Sequence, residues 1–154
     1  MKKAIFIILI GGVSIPLFAQ QHPLEEIFVA CLETPSLKDF VIRDEKNKIC
    51  LEVIFTNHKI SGNQYINWRS QEIELVSKQA PETLDPCYGS IEEIKVKKKR
   101  ATLVLWFGEN MKGKFKLNKA GKDWYTRSLL TTRYKPEGDM VMVERTINRY
   151  RRNP

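Results

Sequence analysis

The chain has 154 residues and a mass of 18.0 kDa, which is the size of a single domain. It is 42% hydrophobic and 29% charged with a mean hydropathy of −0.37, values that exclude a collagen-like, low-complexity or polytopic membrane protein. The 26 Lys and Arg residues exceed the 18 Asp and Glu residues, and the resulting net charge of +8 favours an anionic partner.

Residues 1–19 have the pattern of a secretory signal peptide. Lys2 and Lys3 form a basic start, and the uncharged, mostly apolar run that follows is shorter than the about 20 residues of a transmembrane helix. Ala19 provides the small residue expected before a cleavage site, although an uncleaved N-terminal anchor is the alternative. We therefore predict an exported protein, periplasmic or secreted, with one globular domain over residues 20–154 and no transmembrane anchor after cleavage.

The chain contains three cysteines. If it is exported as predicted, they lie in an oxidising compartment, where disulfide bonds can form. Three is an odd number, so at most one bridge forms within the chain and one thiol is left over. Cys87 lies in a loop that a covalent tether would stabilise, and we predict that it pairs with Cys50. Cys31 falls on the apolar face of a predicted helix and is expected to be a buried free thiol.

The first element in chain order is a predicted helix from Pro23 to Glu33. Proline suits the first position of a helix, and apolar residues then recur at three- and four-residue spacing. Glu25 and Glu26 are expected in the first turn, where carboxylates favour the positive end of the helix. Pro35 ends the helix.

After this helix the hydrophobic pattern has a period of two, which is typical of half-buried strands. The predicted strands cover residues 40–43, 49–55, 65–68, 72–77, 91–97, 101–107, 111–117, 123–132 and 140–148. Residues 78–90 contain two prolines and are predicted to form a loop. The short connections after residue 90 are typical of hairpins, so consecutive strands there are expected to be antiparallel neighbours.

The predicted fold class is α+β, with a short N-terminal helix packed on an antiparallel β-meander of about six to eight strands. A curved sheet over the helix and a small barrel or sandwich are both compatible with the pattern. The segment Thr102–Phe107 is apolar on both faces, which predicts a central strand and places Trp106 in the core. Met111–Leu117 carries three lysines on one face, which is therefore expected to be solvated.

No residue pattern points to a chemical step. The two histidines, His22 and His58, form no metal-ligand spacing with the cysteines, and the sequence lacks C-x-x-C, G-x-S-x-G, H-E-x-x-H and a phosphate-binding glycine loop. Neighbouring glutamates such as Glu72 and Glu74 are expected on solvated strand faces. We therefore predict no cofactor and no metal site, and we favour a protein that is not an enzyme. The less favoured alternative is an envelope hydrolase or thiol enzyme that uses His58 and a cysteine.

Basic residues in the second half of the chain are the strongest functional signal. Lysines alternate along two predicted strands, so their side chains share one face of the sheet if those strands are aligned. The candidate binding residues are Lys95, Lys97, Lys112, Lys114, Lys116 and Trp68. Trp68 is included because it lies in a polar stretch and is expected to be the most exposed tryptophan. The alternative is that the lysines only keep the sheet soluble and prevent edge pairing.

Together these patterns predict a small exported bacterial protein that acts by binding. Its partner is expected to be an anionic glycan or lipid, or a protein with an acidic surface, held on the basic face of the sheet. Nucleic acid is disfavoured because the chain is predicted to be exported. The alternative function is a carrier with an apolar cavity inside the curved sheet.

Overall fold

A computed structural model describes residues 21–39, 50–58 and 64–152. The helical elements are α1, Gln21–Leu32, and a 3₁₀ helix, Pro35–Asp39. The strands are β1 Val53–Thr56, β2 Gln64–Trp68, β3 Gln71–Val76, β4 Tyr88–Lys97, β5 Arg100–Phe107, β6 Met111–Ala120, β7 Asp123–Glu137 and β8 Met140–Arg149. The predicted signal peptide at residues 1–19 and the predicted strand at 40–43 lie outside the described residues. Within the described ranges, no helix has the length and apolar character needed to cross a membrane.

The strands form one open, mixed sheet in the order β2-β3-β1-β4-β5-β6-β7-β8. From β4 to β8 each strand is antiparallel to the next, as the sequence predicts. The prediction of a meander is wrong in the first half, because β1 lies between β3 and β4 and runs parallel to both. The connection from β3 to β4 is long enough to pass over β1, and a period of two in the sequence carries no information on strand direction.

Helix α1 fills one face of the sheet, which is called the inner face; the opposite face is the outer face. Ile27, Phe28 and Cys31 project from the helix into the core, and each is 0% exposed. The helix begins two residues earlier than predicted, at Gln21, so its first turn contains no acidic residue. The expectation that Glu25 and Glu26 occupy that turn is therefore wrong.

The helix is attached near both edges of the sheet. Thr126 on β7 donates a hydrogen bond from Oγ1 to the carbonyl oxygen of Ala30, at 3.2 Å. At the other side, Nε1 of Trp68 on β2 donates to the carboxylate of Glu33, at 2.7 Å. Because β2 is one edge of the sheet and β7 is next to the other, the sheet curves around the helix. An open curved sheet, rather than a barrel or sandwich, is therefore the closure that this chain adopts.

The predicted bridge between Cys50 and Cys87 is confirmed, and it ties the segment before β1 to the start of β4. Next to it, the backbone N–H of Glu52 donates to the carbonyl oxygen of Cys87, at 2.8 Å. These contacts hold β1 beside β4 in the parallel arrangement. Cys31 is the free cysteine and is buried, also as expected, and burial raises the pKa of its thiol well above the usual range.

Trp106 lies on the outer face and is half-buried, so its placement in the core is wrong. Its neighbours Leu105 and Phe107 point the other way, into the inner-face core. The Trp106 ring stacks on Tyr134 with 5.5 Å between ring centroids, and Nζ of Lys112 lies 4.9 Å from the Trp106 centroid. Side chains from neighbouring strands, rather than a second layer of structure, therefore cover the outer side of β5.

Candidate functional site

The register of β6, β7 and β8 brings distant basic residues together on the outer face. Lys116 on β6 is paired with Ser128 on β7, and Ser128 is paired with Arg149 on β8. In the adjacent row Lys114 is paired with Leu130, and Leu130 with Ile147. Because paired residues point to the same face of a sheet, these side chains stand side by side on the outer face.

These rows form a groove of about 740 Å³, called here the cationic groove. It is lined by Lys114, Lys116, Arg127, Ser128, Leu130, Ile147, Arg149, Tyr150 and Arg151. Five of these residues are basic and none is acidic. Leu130 and Ile147 lie in the row of Lys114, beside the row of Lys116 and Arg149, and add apolar surface to the groove.

A β-bulge on β7 adds Arg127 to the groove. The pairing with β6 passes from Ser128 directly to Thr126, so Arg127 has no register partner on β6 and its side chain is exposed. The backbone N–H of Tyr150 donates to the carbonyl oxygen of Arg127, at 2.9 Å. The Tyr150 hydroxyl is also hydrogen-bonded to Ser36, just after α1. These two contacts fix the chain that carries Arg149 and Arg151 against the bulge.

The basic residues of the outer face differ in whether a carboxylate neutralises them. Lys112 forms a salt bridge with Glu92, at 3.2 Å, and Lys95 forms one with Glu93. The hydrogen bond from Lys95, together with the charges of Lys95 and Lys114, lowers the pKa of Glu93 below its ordinary value. In the described part of the chain, the five basic residues of the cationic groove form no salt bridge. No direct ion pair therefore neutralises them, although Glu93 lies in the row of Lys114, with Val104 between them, and interacts with the Lys114 charge.

The five lysines proposed from the sequence all lie on the outer face, but only two line the groove. Lys114 and Lys116 are groove residues. Lys95 is in the row of Lys116, with Thr102 between them, and Lys97 lies farther along β4 beside its turn. Lys112 is occupied by Glu92 and Trp106.

Trp68 is not part of this surface. It lies on β2, at the opposite edge of the sheet, and is 7% exposed. The expectation that it is the most exposed tryptophan is wrong, because β2 turns Ile66 and Trp68 towards the core. Its indole N–H is already used by Glu33.

Sequence reasoning did not select Arg127, Arg149 and Arg151 as site residues. Arg149 continues the period-two pattern of β8, so its face follows from the strand once the register is known. Arg127 depends on the bulge, and no sequence signal marks where that bulge falls.

A second concavity of about 660 Å³ lies between the loop before β4 and the last part of β7. Leu84, Pro86, Phe107, Met111 and Pro136 are among its lining residues. In the described ranges, no group of three or more His, Cys, Asp or Glu side chains is arranged to hold a metal ion.

Comparison of the chain with protein families, with curated proteins and with solved structures gave no significant match.

Proposed function

We propose that this protein binds an anionic glycan, one that carries several phosphate, sulfate or carboxylate groups, in the cationic groove. The observation that carries the proposal is the set of five basic side chains without an acidic neighbour in the groove lining. Arginine donates paired hydrogen bonds to such groups, and lysine acts as a mobile point charge, so the groove offers both kinds of contact.

The spacing of the basic residues favours a ligand with several charges. Lys114 and Lys116 are two residues apart on a strand, a separation of about 7 Å. Lys116 and Arg149 are two strands apart, about 10 Å. A small single anion contacts only one edge of this groove. A chain of charged sugars reaches both edges and lays its apolar ring faces on Leu130 and Ile147.

We also propose that the chain is exported, with residues 1–19 as its signal peptide. The Cys50–Cys87 bridge supports this proposal, since disulfides persist in oxidising compartments. An exported protein meets charged surface glycans, which agrees with the ligand proposed here.

The experiment compares two triple variants of equal net charge for binding of a heparin-derived dodecasaccharide. The groove variant is Lys114→Gln, Lys116→Gln and Arg149→Gln. The control is Lys97→Gln, Lys98→Gln and Lys99→Gln, which removes three exposed charges near the β4–β5 turn. We expect the groove variant to bind roughly tenfold more weakly or worse, while the control stays close to the wild type.

Equal losses in both variants would mean that net charge alone attracts the glycan, and the groove proposal would be wrong. Vesicles that contain phosphatidylglycerol are tested in parallel. Binding to these vesicles but not to the oligosaccharide would overturn the glycan and favour a lipid surface. Increasing salt should weaken the wild-type affinity more steeply than that of the groove variant, because fewer charges are screened in the variant.

A carrier of a small apolar ligand is the second candidate, favoured by the apolar lining of the concavity that contains Leu84 and Phe107. The test is binding of the uncharged dye Nile red to the wild type and to Leu84→Asp. Loss of dye binding in this variant, with the fold retained, would support the carrier. The thiol-enzyme alternative is disfavoured, because Cys50 and Cys87 are bridged and Cys31 is buried.

A further inference from the structure

The β7–β8 hairpin extends beyond the rest of the sheet. Pairing between β6 and β7 ends at Met111 and Arg133, whereas pairing between β7 and β8 continues to Glu137 and Met140. Residues 135–142, called the arm, are therefore a two-stranded ribbon without a β6 neighbour. A two-stranded ribbon buries little apolar surface and is only marginally stable by itself.

The arm and its base expose four consecutive apolar residues, called the apolar tetrad. Met140 is 75% exposed, Val141 62%, Met142 45% and Val143 45%. The two valines point to the outer face and the two methionines to the inner face, so β8 is apolar on both faces along the tetrad. Exposed apolar patches of this kind mark interaction sites, and natural edge strands are normally protected.

The backbone of β8 also offers hydrogen-bonding groups to a further strand. β8 is the last strand of the sheet order, and no described strand pairs with the edge of β8 that faces away from β7. The two-residue turn at Gly138 and Asp139 makes Glu137 and Met140 the hydrogen-bonded closing pair of the hairpin. Alternation along an antiparallel strand then directs the N–H and C=O groups of Val141 and Val143 away from β7.

We infer that a second copy of this chain occupies this edge, pairing its own β8 antiparallel to the first, with the two-fold axis at Met142. In this register Val141 of each copy lies opposite Val143 of the other, and their outward backbone groups are paired. The same register places Asp139 of each copy opposite Arg145 of the other, so that charges of opposite sign meet twice. Registers centred on Glu144 or Arg145 would instead bring like charges together.

This pairing joins the two arms into a four-stranded sheet. In each copy it covers the free backbone edge of β8 along the apolar tetrad. The interface is isologous and closes at two copies, as a two-fold axis requires. The axis is perpendicular to the sheet, so the outer faces of both copies point in the same direction. If the proposed glycan binding also holds, the dimer presents two cationic grooves to one long polyanion. The dimer itself does not rest on that function.

The first experiment is sedimentation equilibrium of the chain across a wide range of concentrations. We expect a reversible dimer in the wild type, and Val141→Lys should raise its dissociation constant about tenfold. The control is Ile147→Lys, which changes an apolar residue of equal exposure, 62%, on the same strand and face but outside the paired stretch. A wild type that is monomeric throughout, or a dimer more sensitive to Ile147→Lys than to Val141→Lys, would overturn the proposal.

The second experiment tests the register directly. In the dimer, Met142→Cys places the new thiol of one chain opposite the same thiol of the second chain, at the two-fold axis. Ile147→Cys serves as the control. The native cysteines do not interfere, because Cys50 and Cys87 are bridged and Cys31 is buried. Mild oxidation should give a covalent dimer from Met142→Cys but not from Ile147→Cys. Equal cross-linking of both variants, or of neither, would overturn this register, and circular dichroism verifies that each variant is folded.

Discussion

Lys116 on β6 and Arg149 on β8 share the same register partner, Ser128 on β7. The two basic side chains therefore stand in one row on the outer face, about 10 Å apart, although they are distant in sequence. Lys116 on β6 and Arg149 on β8 thus form the two sides of the cationic groove. The apolar side chains of Leu130 and Ile147 occupy the row beside them. Electrostatic attraction and an apolar contact surface are available at the same place.

A first prediction concerns Glu33, the residue that joins α1 to the β2–β3 turn. Its carboxylate accepts hydrogen bonds from Nε and Nη2 of Arg69, at 3.0 and 2.7 Å, and from Nε1 of Trp68, at 2.7 Å. The hydrogen bond from Arg69 is the main reason that the pKa of Glu33 is lowered. Since the side chains of Arg69 and Glu33 are 68% and 42% exposed, solvent screens the ion pair, and Glu33→Gln should lower the free energy of unfolding at neutral pH by only about 0.5 kcal/mol.

The pH dependence of this difference has a definite sign. A lowered pKa means that the folded state favours the ionised carboxylate, so the stabilisation is complete above the unfolded-state value of about 4.3. It is lost as the pH falls through the lower pKa of the folded state. Thermal unfolding of the wild type and Glu33→Gln from about pH 7 to about pH 3 measures this. A stability gap that widens on acidification would contradict the assignment.

A second prediction concerns the Cys50–Cys87 bridge, which links residues 37 apart in sequence. Replacing both cysteines with alanine should lower the free energy of unfolding by about 2–4 kcal/mol, because the unfolded chain is no longer constrained. Urea unfolding with and without dithiothreitol provides the measurement. The reductant should destabilise the wild type and leave the double variant unchanged. A wild type that is insensitive to reductant under unfolding conditions would contradict the bridge.

A third prediction concerns the turn between β2 and β3, where Arg69 and Ser70 have positive φ angles of 45° and 62°. Side chains disfavour this left-handed region, and glycine enters it without steric cost. Ser70→Gly should therefore increase the free energy of unfolding by about 1 kcal/mol. Gln79→Gly is the control, an exposed position without a positive φ, where the added backbone freedom should be slightly destabilising. If both substitutions destabilise the protein equally, the turn is not strained.

The hairpins from β4 to β8 were predictable from the sequence because two local signals agree there. Hydrophobic residues alternate along the strands, and in three of the four turns Gly108, Gly121 and Gly138 provide positive φ angles of 61°, 63° and 62°. The β4–β5 turn, Lys98 and Lys99, is polar but contains no glycine. The strands are longer than predicted at several ends, as β7 continues to Glu137 instead of stopping at Thr132. Pairing to β8 stabilises this extension, and such pairing cannot be deduced from β7 alone.

The position of β1 and the faces of the tryptophans were not predictable, because both depend on contacts between distant residues. Glu52 and Cys87 hold β1 parallel to β4, and nothing in the local pattern of β1 indicates this. Trp68 is buried because β2 lies against the end of α1, where Glu33 accepts its N–H. Trp106 lies in an apolar run, yet its side chain is on the outer face of the sheet, away from the helix. The place of Arg127 in the groove was similarly out of reach, since it depends on a bulge.

The most direct test of the cationic groove is a titration of the ¹⁵N-labelled protein with the heparin-derived dodecasaccharide, followed by backbone amide chemical shifts. We expect the largest shift changes to cluster at residues 114–116, 127–130 and 147–151, and residues 97–99 to change little although all three are lysines. Shift changes spread over all basic segments, or centred on the concavity that contains Leu84, would contradict this expectation.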